Sequence, residues 1–218
     1  MKIKGAIFDM DGTLVDSLGF WKDCWTRFGA KYRGDPEYIP DAETARAVRT
    51  APLAKTAAIL HRACGFGENA KAFAEELEAF FVECYRTRLN AKEGVLPFLE
   101  ALADRGVEMC LASASPMPMI AAGIEHCRME RFFGRIVSCD DVGSGKDQPD
   151  VFLAALDVLG TPKEETWVFE DSAVALETAQ RAGFQTVGVF DRNTPGQDRV
   201  RAASTVYVGE GETFLELL

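Results

Sequence analysis

The stretch "KGAIFDMDGTLVDS", residues 4–17, carries the decisive pattern of the chain. Its front half, Ala6-Ile7-Phe8, is an apolar run suited to a strand buried on both faces. The run ends in two carboxylates, Asp9 and Asp11, spaced two apart and followed at once by Gly12 and Thr13. An unpaired carboxylate taken out of water costs on the order of several kcal/mol. A buried strand finished this way therefore predicts a cation at its carboxyl end.

Working outward, the chain from Gly94 onward alternates helical and strand patterns. "GVLPFLEALADRG" reads as a helix, "VEMCLASAS" as a strand, "PMPMIAAGIEHC" as a helix and "RIVSC" as a strand. "DVFLAALDVLG" and "SAVALETAQRAG" are helical and flank the strand "TWVFED"; "QTVGVF" and "TVYVG" are strands, and "ETFLELL" predicts a final helix. Such alternation implies parallel βαβ units, hence an α/β fold with a doubly wound parallel sheet. The opening strand belongs to the same sheet. Residues 17–92 break the alternation with helical stretches alone, among them "FWKDCWTRFGAKY" and "ENAKAFAEELEAFFVECYRTRL". The expected organisation is a core of residues 1–16 and 93–218 with an all-helical insert over 17–92.

Composition narrows the class. With 218 residues, 47% apolar and 27% charged, and no apolar run near the ~20 residues of a membrane span, a globular protein with no membrane partner is expected. A formal charge of −10 disfavours a nucleic-acid backbone as partner, which would demand clustered Lys and Arg. It leaves room for a small phosphorylated ligand, which needs only one or two local cations. Six scattered cysteines without a CxxC pair read as buried reduced thiols. The basic start Met1-Lys2-Ile3-Lys4 runs straight into the strand without a leader pattern, which with the reduced thiols makes a cytoplasmic location the expectation; a monomer is also expected.

In an open α/β sheet, ligands bind beyond the carboxyl ends of the strands. Four segments put polar residues there: Asp9 and Asp11, Ser113 after "VEMCLA", Lys146 in the loop after "RIVSC", and Glu170 with Asp171 after "TWVF". The four carboxylates form a hard-oxygen set for which Mg²⁺ is the expected ion. Ser113 and Lys146 add donors suited to phosphate oxygens. One carboxylate of such a set can attack phosphorus while another protonates the leaving oxygen and then activates water. Asp9 and Asp11 would divide these roles.

At this point the sequence resembles the haloacid dehalogenase superfamily of phosphatases, in its β-phosphoglucomutase-like subgroup. "FDMDGTLVDS" matches the DxDGT signature, "LASAS" the Ser/Thr motif, "GKDQPDVF" the lysine motif and "FEDSAVALETAQRAG" the acidic motif. The resemblance implies a Rossmann-like core with a helical cap over residues 17–92. It implies Asp9 as nucleophile and metal ligand, and Asp11 as general acid/base that also offers its backbone carbonyl to Mg²⁺. Ser113 would bind phosphate, Lys146 would neutralise charge, and Glu170 and Asp171 would complete the metal site. The implied activity is a Mg²⁺-dependent phosphatase on a small phosphorylated metabolite; a sugar-phosphate mutase and a catalytically silent phosphate-binding protein are the alternatives.

Two departures from the family pattern bear on that choice. Asp147 stands where the first proline of a K-P-x-P lysine motif is expected, with only Pro149 retained. Pro52, in "RTAPLAK", aligns with the cap arginine that grips a second phosphate in the mutase, while Arg46, Arg49 and Lys55 lie out of register. Ser115 before Pro116 reads as a helix cap, and the aromatics Phe20, Trp21, Trp25 and Phe28 as packing between cap helices.

Overall fold

The computed structural model describes residues 2–49 and 51–218, the side chain of Arg49 lying outside the described set. Six strands form one sheet: β1 (Gly5–Phe8), β2 (Glu108–Ser113), β3 (Ile136–Ser138), β4 (Thr166–Glu170), β5 (Gln185–Val189) and β6 (Val206–Val208). Their spatial order is β3-β2-β1-β4-β5-β6, and every neighbouring pair is parallel. The chain runs outward from β1 to β3, then crosses to β4 on the other side of β1. The reversal of direction between β1 and β4 opens a crevice at their carboxyl ends.

Alternation along the strands sends side chains to two separate layers. Ala6, Phe8, Leu111 and Phe169 face one way, toward α5 (Val95–Asp104) and α6 (Met117–His126). Ile7, Cys110, Ala112 and Val168 face the other, toward α8 (Asp150–Leu159) and α9 (Ala173–Arg181). Burial on both faces is why β1 carries no polar residue before Asp9. Phe98 of α5 holds the first layer together, with its ring centroid 6.4 Å from Phe8, 5.7 Å from Phe169 and 5.4 Å from Phe214.

Between β1 and α5 lie four helices: α1 (Phe20–Arg33), α2 (Ala42–Arg49), α3 (Leu53–Cys64) and α4 (Ala70–Arg88). Asn69 caps α4 by accepting the Ala72 N–H at 2.9 Å, and Phe73, Leu77, Phe80, Phe81 and Cys84 repeat at helical spacing to form its buried stripe. Phe28 of α1 packs on Phe73 and Phe80, with centroids 5.0 and 5.6 Å away, so Phe28 is core packing as the sequence predicts. Trp21 and Trp25 are only partly buried and pack against each other and, for Trp21, against Phe81. The two chain crossings to and from these helices pair with one another: Asp16 N–H donates to the Asn90 carbonyl at 3.0 Å, and Lys92 N–H to that of Leu14 at 2.9 Å.

Three local features differ from the sequence expectation. "ETFLELL" forms a short 3₁₀ turn, Phe214–Leu217, since four residues supply too few backbone bonds to nucleate an α-helix. β3 stops at Ser138, whose side chain and that of Asp141 form a reciprocal capping box that starts the short α7 (Cys139–Val142). A further helix, α10 (Gln197–Ala202), lies between β5 and β6. All six cysteines are buried and unpaired, and no described helix is long and apolar enough to cross a membrane.

Truncation of Phe98 to Ala should remove the contact that ties α5 to β1, β4 and the C-terminal turn. Urea unfolding is expected to show a loss of about 3–5 kcal/mol with the slope unchanged; a loss under about 1 kcal/mol would contradict this packing.

Candidate active site

Strand register brings the predicted residues to one edge of the sheet. Phe8 pairs with Leu111 on one side and Phe169 on the other, and Asp9 N–H donates to the Phe169 carbonyl at 2.9 Å. Asp9 therefore lies level with Glu170, and the chain beyond each strand carries Asp11 and Asp171 to the same crevice. Ser113 ends β2, fully buried, where its hydroxyl accepts the Ser115 N–H at 3.0 Å. Lys146 reaches in from the loop after α7 and donates to both Asp9 Oδ1 and Glu170 Oε1, the latter at 2.8 Å.

The balance of charge in this crevice is uneven. Asp9, Glu170 and Asp171 are buried, at 7%, 2% and 6% exposure, and among the described residues the one cation in an ion pair with any of them is Lys146, which pairs with Asp9 and Glu170. Burial raises the Asp9 carboxyl to about 7, with the charges of Glu170 and Asp11 adding and Lys146 opposing. Burial likewise pushes Asp171 well above the usual carboxylate range, reinforced by Glu170 and Asp9. For Lys146, burial works to lower the pKa, but the facing Asp9 and Glu170 carboxylates outweigh it and hold the ammonium above its ordinary value. One ammonium is thus short of what the carboxylates need.

Three observations fit a divalent cation at this point. Asp9, Glu170 and Asp171 each bring a carboxylate oxygen within 4.8 Å of the others. Asp9 Oδ2 is buried without a hydrogen-bond partner. Gly12, at φ +84°, lets Asp171 come close to the turn after β1: a Cβ there would lie 2.6 Å from Asp171 Oδ2. An all-oxygen donor set of this kind suits a hard cation.

Residues that the sequence did not single out support the carboxylates. Thr194, in the loop after β5, donates to Asp171 Oδ2. Asp11 accepts from Ser17 at 2.6 Å and from Tyr85 of α4 at Oδ1, and from Ser115 at 2.7 Å at Oδ2. The Ser115 expectation is thus corrected: α6 begins at Met117 with no side-chain cap, and the Ser115 hydroxyl turns to Asp11 instead. The signal was present, since a serine two residues past a strand end lies in the crevice, but a following proline reads equally well as a helix start. Glu170 combines two roles, as its Oε2 also accepts the Ser172 N–H at 2.7 Å ahead of α9. Asp147 is exposed; its backbone carbonyl accepts the Thr178 hydroxyl at 3.3 Å, and Lys146 pairs with Asp9 and Glu170 rather than with it.

Comparison with known proteins gives the same picture of the fold. Residues 3–183 match the family described as haloacid dehalogenase-like hydrolase. A phosphorylated carbohydrates phosphatase of Thermotoga maritima is 26% identical over 99% of the chain and 98% of its own length. Hexitol phosphatase A of Escherichia coli is 27% identical over 87% of the chain and 84% of its length. The crystal structure of CbbY from Rhodobacter sphaeroides, in complex with phosphate, superposes with a TM-score of 0.81 at 21% identity, covering 99% of this chain and 96% of the other.

In the metal-free protein the folded Asp9 binds a proton up to about pH 7, against 3.8 as the reference value. The folded state therefore holds the extra proton across that window, and its stability falls as pH rises through it. A divalent cation competes with the same proton. Added magnesium chloride at about a hundredfold excess over its Kd at about pH 7.5 should stabilise the protein there by about 2–3 kcal/mol, and the same concentration should raise Tm less at about pH 5.5; a shift independent of pH, or none, would contradict a cation among these carboxylates.

Proposed function

The chain belongs to the haloacid dehalogenase-like hydrolase family, and from that premise we propose that it is a Mg²⁺-dependent phosphatase of a small phosphorylated metabolite, a sugar or polyol monophosphate. The observation that carries this reading is Asp9, with one oxygen held by Lys146 and the other buried and unpaired. A carboxylate that is charge-paired on one side and not spent on a second protein partner is available for attack on phosphorus. The relatives named for phosphorylated carbohydrates and for hexitol support the substrate class.

In the proposed reaction Asp9 attacks phosphorus, the bond from phosphorus to the leaving oxygen breaks, and Asp11 gives that oxygen its proton. Water then attacks the aspartyl-phosphate, Asp11 takes the water proton, and inorganic phosphate leaves with Asp9 regenerated. Lys146 offsets the charge gathered on Asp9 and on the phosphoryl oxygens, and Ser113 contributes its hydroxyl to the phosphate site. Asp9, Glu170, Asp171 and the Asp11 backbone carbonyl would hold Mg²⁺. When bound, the ion supplies the positive charge that the carboxylates and phosphoryl oxygens lack. Residues 17–92 act as the cap that keeps bulk water out. The proposal includes a cytoplasmic monomer with no nucleic-acid or membrane partner, in keeping with six buried, unpaired thiols.

Hydrolysis is favoured over phosphoryl return to a sugar by what surrounds Pro52. A cavity of about 230 Å³ opens between α3, α4 and the strand-end loops, lined by Pro52, Leu53, Ala54, Ala74 and Pro116, with acidic Glu75, Glu78 and Asp140. No cation lines it. Arg46 and Lys55 are exposed, and the Arg49 side chain lies outside the described residues. A mutase must hold the far phosphate of a bisphosphate while water is shut out, for which a forked guanidinium is suited and an acidic wall is not.

Asp9→Asn is expected to keep the fold and to reduce Mg²⁺-dependent turnover of p-nitrophenyl phosphate by at least about a hundredfold. Retention of about a tenth of the wild-type kcat would rule out the covalent route. A wild-type protein without turnover would favour the silent binder. With β-glucose 1-phosphate, Mg²⁺ and a trace of the bisphosphate, free phosphate should appear faster than glucose 6-phosphate; the reverse order would make the protein a mutase.

A further inference from the structure

Asp11 is held by hydroxyls from three separate parts of the chain. Ser17 belongs to the first crossing toward the helical insert and Ser115 to the loop after β2, but Tyr85 comes from within α4. It is the one side chain of α4 whose polar atom reaches the crevice among the described hydrogen bonds. Tyr85 is buried, at 3% exposure, and its ring lies against α6 at Gly123. A Cβ at Gly123 would fall 2.9 Å from Leu89 and 3.1 Å from the Tyr85 ring, and would also meet the end of Met10. The absence of a side chain at Gly123 is what lets α4 settle deep enough on α6 for the phenol to touch Asp11.

The chemistry of the contact suits a proton-transfer group. A hydroxyl both donates and accepts, so it can stay bonded to Asp11 as carboxylate or as carboxylic acid, whereas the ammonium of Lys146 can only donate. Without the Tyr85 bond, Oδ1 keeps only the Ser17 hydroxyl and Oδ2 the Ser115 hydroxyl, and the carboxyl loses its hydrogen bond from α4. Small displacements of a catalytic group of about 1 Å cost as much as a hundredfold in rate.

We propose that Tyr85 is a positioning residue for Asp11, fixing the acid/base carboxyl from α4 so that its proton meets the leaving oxygen. This rests on the phosphatase reading, in which Asp11 protonates that oxygen, and it adds a role for the insert beyond covering the crevice. The ring of Phe at position 85 would fill the same space against Gly123 and Leu89 while lacking only the hydroxyl, which makes Tyr85→Phe the informative variant.

The test compares kcat/KM for phenyl phosphate and p-nitrophenyl phosphate in the Mg²⁺-loaded wild type and in Tyr85→Phe. This parameter covers the steps through the first phosphorus–oxygen cleavage. Phenolate is a basic leaving group that needs the Asp11 proton, whereas p-nitrophenolate departs with little help. A positioning role predicts that kcat/KM for phenyl phosphate falls about tenfold or more while that for p-nitrophenyl phosphate falls less than about threefold. Because both substrates see the same folded fraction, the ratio between them is unaffected if the variant is less stable. An unchanged or reversed ratio, whether both activities fall together or neither falls, overturns the proposal. A wild type that hydrolyses neither substrate removes the phosphatase reading and this role with it; a wild type active on both, with the ratio unmoved by the variant, removes the role of Tyr85 alone.

Discussion

The buried ion contact of Lys146 with Asp9 and Glu170 is the constraint on which the crevice depends. It joins the end of β1 to the end of β4 through a residue from the loop after β3 and α7, so three chain segments on the two sides of the sheet's reversal share one ammonium. Breaking such a pair by removing one partner leaves uncompensated buried charge, at a cost of about 3–5 kcal/mol in comparable cases. Yet the same contact falls short of neutrality. Asp9 stays raised to about 7 and Asp171 well above its usual range, because burial and mutual repulsion exceed what one cation offsets. The core is assembled so that a further positive charge has a place to go, and the unpaired Asp9 Oδ2 marks where the deficit is concentrated.

The two carboxylates after β1 are held in physically opposite ways. Asp9 faces an ammonium, a donor that cannot accept, which suits a group that acts as an anion. Asp11 faces the hydroxyls of Ser17, Tyr85 and Ser115, which can serve either protonation state. Two residues of spacing carry them into these different surroundings: Asp9 is still bonded to β4 through its N–H, while Asp11 has left the strand and stands where the crossings to the helical insert begin. The division of roles in the proposed reaction follows from this difference in neighbours rather than from any difference in residue type.

The helical insert contributes to the crevice from two directions. The carboxyl-terminal half of α4 is anchored on α6 where Gly123 gives it room, and it delivers Tyr85. The amino end of α3, with Pro52, faces Pro116 and Asp140 of the core across a cavity whose charged lining, among the described residues, is acidic. A fixed contact on one side and an open, anion-repelling wall on the other fit a substrate that brings one phosphate and leaves its remaining polar surface uncharged.

The sequence by itself determined the parallel sheet, the two-sided helical layers, the positions of Asp9, Asp11, Ser113, Glu170 and Asp171 at or just beyond strand ends, and that of Lys146 in a loop after β3. These follow from local rules: apolar runs of strand length, helical periodicity, and the placement of polar residues where a buried strand must stop. The tertiary structure decided the rest. Ser115 reads as a helix cap because Pro116 follows it, and its hydroxyl belongs to Asp11 only because β1 and β2 are adjacent. Tyr85 sits in a stripe of buried apolar residues and looks like one more of them until α4 is laid on α6. Thr194 lies in a loop after β5 whose return toward Asp171 no periodicity records. A hydroxyl has no pattern of its own, since its partner is chosen by which distant segment comes within hydrogen-bond reach, and that is fixed by packing between elements far apart in the chain.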